Sequence, residues 1–197
     1  MLDQMPSMST SSQEDLLRSL VLDHRLSRSV LSAMEQAAVV ERRGRPLQVG
    51  FWLLVLEYFE GYYDLVHHRV EDELLMPRLA REGFAAPGSA VRQMMQEHER
   101  MAPFRQHLRH ALEQGVATEL HATAQAFVAL HRQHLALEEQ HVFPLVRALL
   151  SPSAQSELAT ALGEHSALHA ADRERAEFLA ASIRRCIGNL PSIATGN

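Results

Sequence analysis

A histidine–glutamate pair at helical spacing, trailed by a proline at a fixed offset, occurs twice in this chain. The copies are HHRVEDELLMP over His67–Pro77 and HLALEEQHVFP over His134–Pro144. In each, glutamate stands at +4, a second acid at +5, apolar residues at +8 and +9, and proline at +10. With 12 histidines in the chain, a His-x-x-x-Glu pair arises easily by chance, so the pairs alone carry little weight. The shared proline decides the matter. With 8 prolines among 197 residues, its coincidence at +10 in both copies has a chance of roughly two in a thousand. The pattern therefore reads as an internal repeat of a helix pair, the construction of a pseudo-symmetric four-helix bundle.

Helix signals on either side of the repeat agree with that architecture. The first ten residues are polar and aperiodic, which predicts a flexible N-terminus over 1–10. Ser11 and Glu14 have capping-box spacing ahead of the apolar stripe Leu17, Leu20, Val21 and Leu31, predicting a first helix that ends near Gly44. Pro46 suits the first turn of a second helix reaching about Leu79, and Gly83 with Ala86–Ser89 forms the next break. A third helix is expected over Ala90–Glu113, kinked at Pro103, and a fourth, after Gly115, over Thr118–Leu150. Ser151 and Pro152 start a last helical region, with Gly163 expected to break it into two segments ending near Gly188. Strand-period alternation is absent. The expected fold is all-α: an antiparallel up-down four-helix bundle over 11–150, a C-terminal helical extension over 151–188 packing on it, and a tail over 189–197.

The chemistry follows from the spacing. Residues four apart on a helix lie one above the other, so His67 with Glu71, and His134 with Glu138, each present an imidazole and a carboxylate to one point. Both pairs sit on apolar stripes: Tyr63 and Leu74 flank the first, and Phe127, Leu130, His141 and Leu145 flank the second. Two ionised carboxylates facing a core are costly unless neutralised, and few long basic side chains share these stripes. A pair of cations bridged by both glutamates removes the cost. One inward histidine is then sought on each remaining helix. His24 continues the apolar stripe of the first. On the third, His98 shares a face with Met94 and Met101, whereas His107 and His110 lie in the Arg-rich stretch RQHLRH and are expected in solvent.

Composition limits the function classes. A net charge of −5 without basic runs argues against a nucleic-acid partner. The longest apolar run, Phe51–Leu56, is far too short to span a bilayer, and the N-terminus lacks the pattern of a secretory signal. The lone Cys186 provides neither an internal disulfide nor a thiolate cluster. A cytoplasmic protein with no membrane partner, monomeric or homodimeric, is expected.

A lone first-helix histidine, then HHxxE, then Glu-His on the third helix, then HxxxEE ending in Phe-Pro resembles the hemerythrin-like (HHE cation-binding) domain, from His24 to Pro144. The resemblance implies a four-helix bundle around a non-haem di-iron centre. Its implied ligands are His24, His67, His98 and His134, with Glu71 and Glu138 as bridges, the same six that the spacing selects. Zinc or manganese would also suit these donors.

Oxygen-carrying relatives place a second histidine four residues after the third-helix ligand, where this chain has Ala102. An open position on one iron is therefore expected. The partner is expected to be a small diatomic ligand (oxygen or nitric oxide) or peroxide, bound or sensed rather than carried. Alternatives are a redox enzyme, an iron donor of the iron–sulfur-cluster-repair type, or iron storage. Those repair-type relatives carry a cysteine-containing N-terminal segment, which this chain lacks. His131, Tyr63 and His141 are candidates for an added ligand, with a supporting or packing role favoured for each. His68, about 100° round the helix from His67, is expected to be supporting or exposed. His165 and His169 form an i, i+4 pair expected to lie at the surface.

Overall fold

The computed structural model describes residues 16–42 and 49–188. Among them every regular element is helical. The expected flexible start, the Ser11–Glu14 cap, the Gly44 and Pro46 boundary and the 189–197 tail lie outside the described residues. We number the helices α1 (Arg18–Arg42), α2 (residues 49–81), α3 (Ala90–Gln114), α4 (residues 117–149), α5 (Pro152–Leu168) and α6 (Ala170–Gly188).

Local chemistry sets the helix ends. The Ser89 hydroxyl accepts from the Arg92 amide at the start of α3, and Ser151 accepts from Ala154 at the start of α5, where Pro152 occupies the first turn. Gly115 ends α3 in the left-handed conformation, φ 67°, which a side chain would strain. Short connections of this kind force α2, α3 and α4 to run alternately up and down. Helix α3 packs along α4, and α1 packs on α4 and α2, closing the bundle. Helix α6 lies over α1 and α2, and α5 packs against the later part of α2.

Two expectations change. Gly163 does not break the C-terminal region: α5 runs through it, because Leu158 and Leu162 are buried on its inner face and packing outweighs the roughly 1 kcal/mol helical penalty of glycine. The break falls at His169, whose backbone leaves the helical region and whose Nδ1 bonds to the Asp172 carboxylate 2.7 Å away. Pro103 lies inside α3, as expected.

The other departure concerns winding. Helix α2 is π-helical over Phe59–His68 and again over Glu71–Leu75, and α4 is π-helical over Glu138–Val142. These i→i+5 stretches begin or end at the residues of the repeated motif. Two apolar clusters fill the bundle. One contains Phe51, Trp52, Phe59, Tyr63, Phe127 and Leu130, and the other Leu17, Leu20, Leu75, Phe143 and Val146. On each of the four helices the motif residues fall where one cluster gives way to the other, making a polar layer between two apolar ones.

Candidate metal centre

All six residues selected by spacing meet in that layer. His24, His67, His134, Glu71 and Glu138 are fully buried, and the His98 side chain is 8% exposed. Glu71 places Oε1 3.4 Å from His67 Nε2 and Oε2 3.4 Å from His98 Nε2. Glu138 places Oε2 2.9 Å from His24 Nε2 and Oε1 3.0 Å from His134 Nε2. Each carboxylate therefore divides its two oxygens between the same two half-sites. One half groups His24 and His67 with both glutamates, and the other groups His68, His98 and His134 with Glu71, each with donor atoms within 4.8 Å of one another.

His68 is the difference from expectation. It is 6% exposed rather than peripheral, and it joins the His98 half, with its Nε2 buried and without a hydrogen bond. The 100° step between neighbours holds for an α-helix, whereas i→i+5 winding puts more than four residues in each turn and narrows the step. Consecutive His67 and His68, at the end of the Phe59–His68 π-helix, thus both turn inward, one to each half. His68 thus brings a third imidazole to the His98 half, from α2 rather than from position 102 of α3. The same winding removes His141: after Glu138 the next inward position is Val142, fully buried, and His141 is exposed.

The donors fit cations better than they fit one another. Both oxygens of Glu71 and of Glu138, and the Nε2 atoms of His24, His67 and His68, are buried without an aligned hydrogen bond. Distances of 2.9 to 3.4 Å without alignment mean that lone pairs converge on common points between the groups. Burying two carboxylates in this manner without compensation would cost several kcal/mol each. In the bare protein, protons partly substitute. Burial works to lower His24 and His134, but nearby Glu138 outweighs it, with Glu139 helping at His24 and Glu97 at His134, and holds them up at about 9 and about 10. Burial likewise opposes the charged form of His98, but Asp72 and Glu71 raise it to about 9. Burial pushes the Glu138 carboxyl upward, yet His134 and His24 prevail and hold it well below the usual range.

A ring of carboxylates that spacing did not identify holds the imidazoles from outside. His67 Nδ1 lies 3.3 Å from Asp23, His134 Nδ1 3.3 Å from Glu97, His24 Nδ1 2.9 Å from Glu139, and His98 Nδ1 3.0 Å from Asp72. His68 Nδ1 meets Asp64 at 3.1 Å. Outer carboxylates of this kind fix the tautomer and leave Nε2 free for a metal. The arrangement follows the repeat. The acid just before His24 and before His98 serves the motif histidine of the next helix, and the +5 acid of each motif serves the histidine of a different helix. Sequence carried the signal in the shared +5 acid, but not its partner.

The outer ring is anchored in turn. Arg28 clasps Glu139 through two bonds of 2.7 and 2.9 Å, and Asp23 accepts from Tyr62 at 2.7 Å and from Arg173 of α6 at 3.4 Å. These contacts lower the Glu139 carboxyl to about 2, His24 contributing most.

The other candidates sort clearly. His107 and His110 are exposed. His165 and His169 are half-buried with their rings 4.5 Å apart, outside both donor groups. Tyr63 and His131 are fully buried against the centre; His131 belongs to neither donor group, and the Tyr63 hydroxyl makes no hydrogen bond.

A helical bundle whose facing helices aim imidazoles and shared carboxylates at two adjacent points belongs to the carboxylate-rich class of metal-binding bundles. The family model described as "Hemerythrin HHE cation binding domain" matches residues 15–146, with an overlapping second match over 89–185, and the chain belongs to that family. No curated protein and no solved structure gave a significant match. No helix among the described residues is long and apolar enough to cross a membrane.

Proposed function

We propose that this protein holds a carboxylate-bridged pair of iron ions and takes up dioxygen, nitric oxide or peroxide there, as a binding or sensing protein. The observation that carries the reading is the division of Glu71 and Glu138, each with one oxygen toward either half-site. A single cation would not call for that division on two helices. His24 and His67 would hold one ion, and His68, His98 and His134 the other. Imidazole and carboxylate donors also suit zinc or manganese, and membership of the hemerythrin family favours iron. Iron would supply reversible electron transfer and affinity for small ligands, while the protein supplies a dry, pre-arranged donor set.

The expected open position would fall on the His24 side. His68 makes three imidazoles on the His98 side, against two on the His24 side, so a small ligand would find room beside His24 and His67. Storage or donation is disfavoured by enclosure, because cargo iron needs a route out and the donors are buried under both apolar clusters. The test is metal analysis of anaerobically prepared protein with its visible spectrum, followed by stopped-flow mixing of the reduced form with each gas and with peroxide. Two irons per chain and one stable adduct support binding or sensing. Multiple turnover would move the reading to a redox enzyme, and ready loss of iron to a weak chelator would move it to storage.

A further inference from the structure

Two buried polar side chains beside the centre are left without any partner. The Tyr63 hydroxyl and both ring nitrogens of His131 are inaccessible to solvent and make no hydrogen bond. Buried hydroxyl and imidazole groups are nearly always satisfied, so two unsatisfied ones in contact point to something they both serve. Their rings lie 4.6 Å apart. Tyr63 packs on His67 at 4.3 Å and on His68 at 4.6 Å, one histidine from each half-site. His131 stands 6.0 Å from His134 and 6.1 Å from His68 by ring centroids. Phe59 and Phe127 close the far side, at 5.0 and 5.4 Å from the His131 ring.

His131 lies outside both donor groups, and the Tyr63 hydroxyl makes no hydrogen bond to any member of them. Their hydrogen-bonding inventory is specific: a phenol offers one O–H donor, and a neutral imidazole one N–H donor and one acceptor. We propose that Tyr63 and His131 form a polar roof over the metal centre that hydrogen-bonds an exogenous ligand of two or three atoms, of the peroxide or azide class, bound beneath it. The aromatic walls exclude larger ligands, and the paired donors favour one that gathers negative charge on binding. The inference rests on the di-iron reading above and deepens it by assigning the residues that recognise the ligand.

The test uses azide as the probe. Ferric-loaded wild-type protein is titrated with azide, and the bound azide infrared stretch is compared in H2O and D2O. The expected result is a deuterium-sensitive stretch in the wild type. Tyr63→Phe and His131→Phe should each lose part of that sensitivity and weaken azide by about three- to ten-fold, the worth of one hydrogen bond. Metal content should stay at the wild-type level in both. His131→Gln, which keeps a donor and an acceptor, should recover part of the affinity. Tyr63→Phe removes an unpaired buried hydroxyl, so it should fold as readily as the wild type. Unchanged azide affinity in both phenylalanine variants overturns the proposal, as does loss of metal in either, which would make that residue a ligand. A wild type with two irons but no azide binding overturns the proposal alone. A wild type without iron overturns it together with the reading on which it rests.

Discussion

The Nε2 atoms of His98 on α3 and His134 on α4 face each other at 3.2 Å inside the bundle. The outer nitrogen of each ring already meets a carboxylate, Asp72 for His98 and Glu97 for His134. Between them the inner nitrogens look onto Glu138 and Glu71, at 3.0 Å for His134 and 3.4 Å for His98. Four donors from three helices thus converge at one place. Removing any one of them has consequences that can be measured.

The bridging carboxylates are the first test. Glu71→Ala or Glu138→Ala should lower bound metal from about two ions per chain to less than one, because each glutamate serves both halves. Metal analysis after desalting reads this directly. Full metal retention in the double variant would remove the bridged-site model.

His68 separates the structure from the sequence pattern. His68→Ala should cost the His98 half more metal affinity than the roughly ten- to hundred-fold that losing an outer carboxylate costs, while His107→Ala, at an exposed position, should change nothing. Competition against a chelator of known affinity measures both. Equal affinities in the two variants would remove His68 from the donor set.

The outer carboxylates make a separate prediction. Asp23→Ala leaves His67 Nδ1, the Tyr62 hydroxyl and Arg173 without their shared acceptor. Metal affinity should fall by about ten- to a hundred-fold. The contact between α6 and α1 should loosen as well, visible as faster amide exchange in α6.

Metal-free protein should lose stability as pH rises. His24, His98 and His134 stand at about 9, 9 and 10 in the folded chain against 6.5 when unfolded. A raised histidine contributes stability that is fully present below 6.5 and is lost as pH climbs through the folded value. The melting temperature of metal-free protein should therefore fall by several degrees between pH 7 and pH 10. Metal affinity should rise over the same window, because the same nitrogens must shed protons to bind. Calorimetry with and without metal gives both signs, and a metal-free melting temperature independent of pH would contradict the assignment.

Phe143 tests the packing around the centre. It is 1% exposed, and its ring stacks on His24 at 5.3 Å and 19°. Phe143→Ala should destabilise the fold by about 3–5 kcal/mol and also free the His24 ring. A denaturation series and a metal titration should both register the change.

The bundle and the six inward donors were legible because their signals are local. A histidine and a glutamate four apart share a face wherever an α-helix forms, and apolar neighbours at helical spacing show which face is inward. The prolines at +10 tied α2 to α4 as copies, and caps such as Ser89 and Ser151 marked where helices begin. His68 was not legible, because its inward turn depends on π-winding over Phe59–His68, which periodicity reads as ordinary α-helix. His141 failed for the same reason in reverse. Gly163 misled because glycine's local cost is smaller than the burial of Leu158 and Leu162 in the turns before it.

By itself, then, the sequence determined which helices form, which faces turn inward and which six side chains those faces present, since each depends on residues within one or two turns. Only the tertiary structure decided which oxygen of Glu71 or Glu138 meets which histidine and which acid steadies which ring. It likewise decided that Tyr63 and His131 lie unpartnered beside the centre. Those relationships join residues from different helices, and their geometry exists only once the helices have packed.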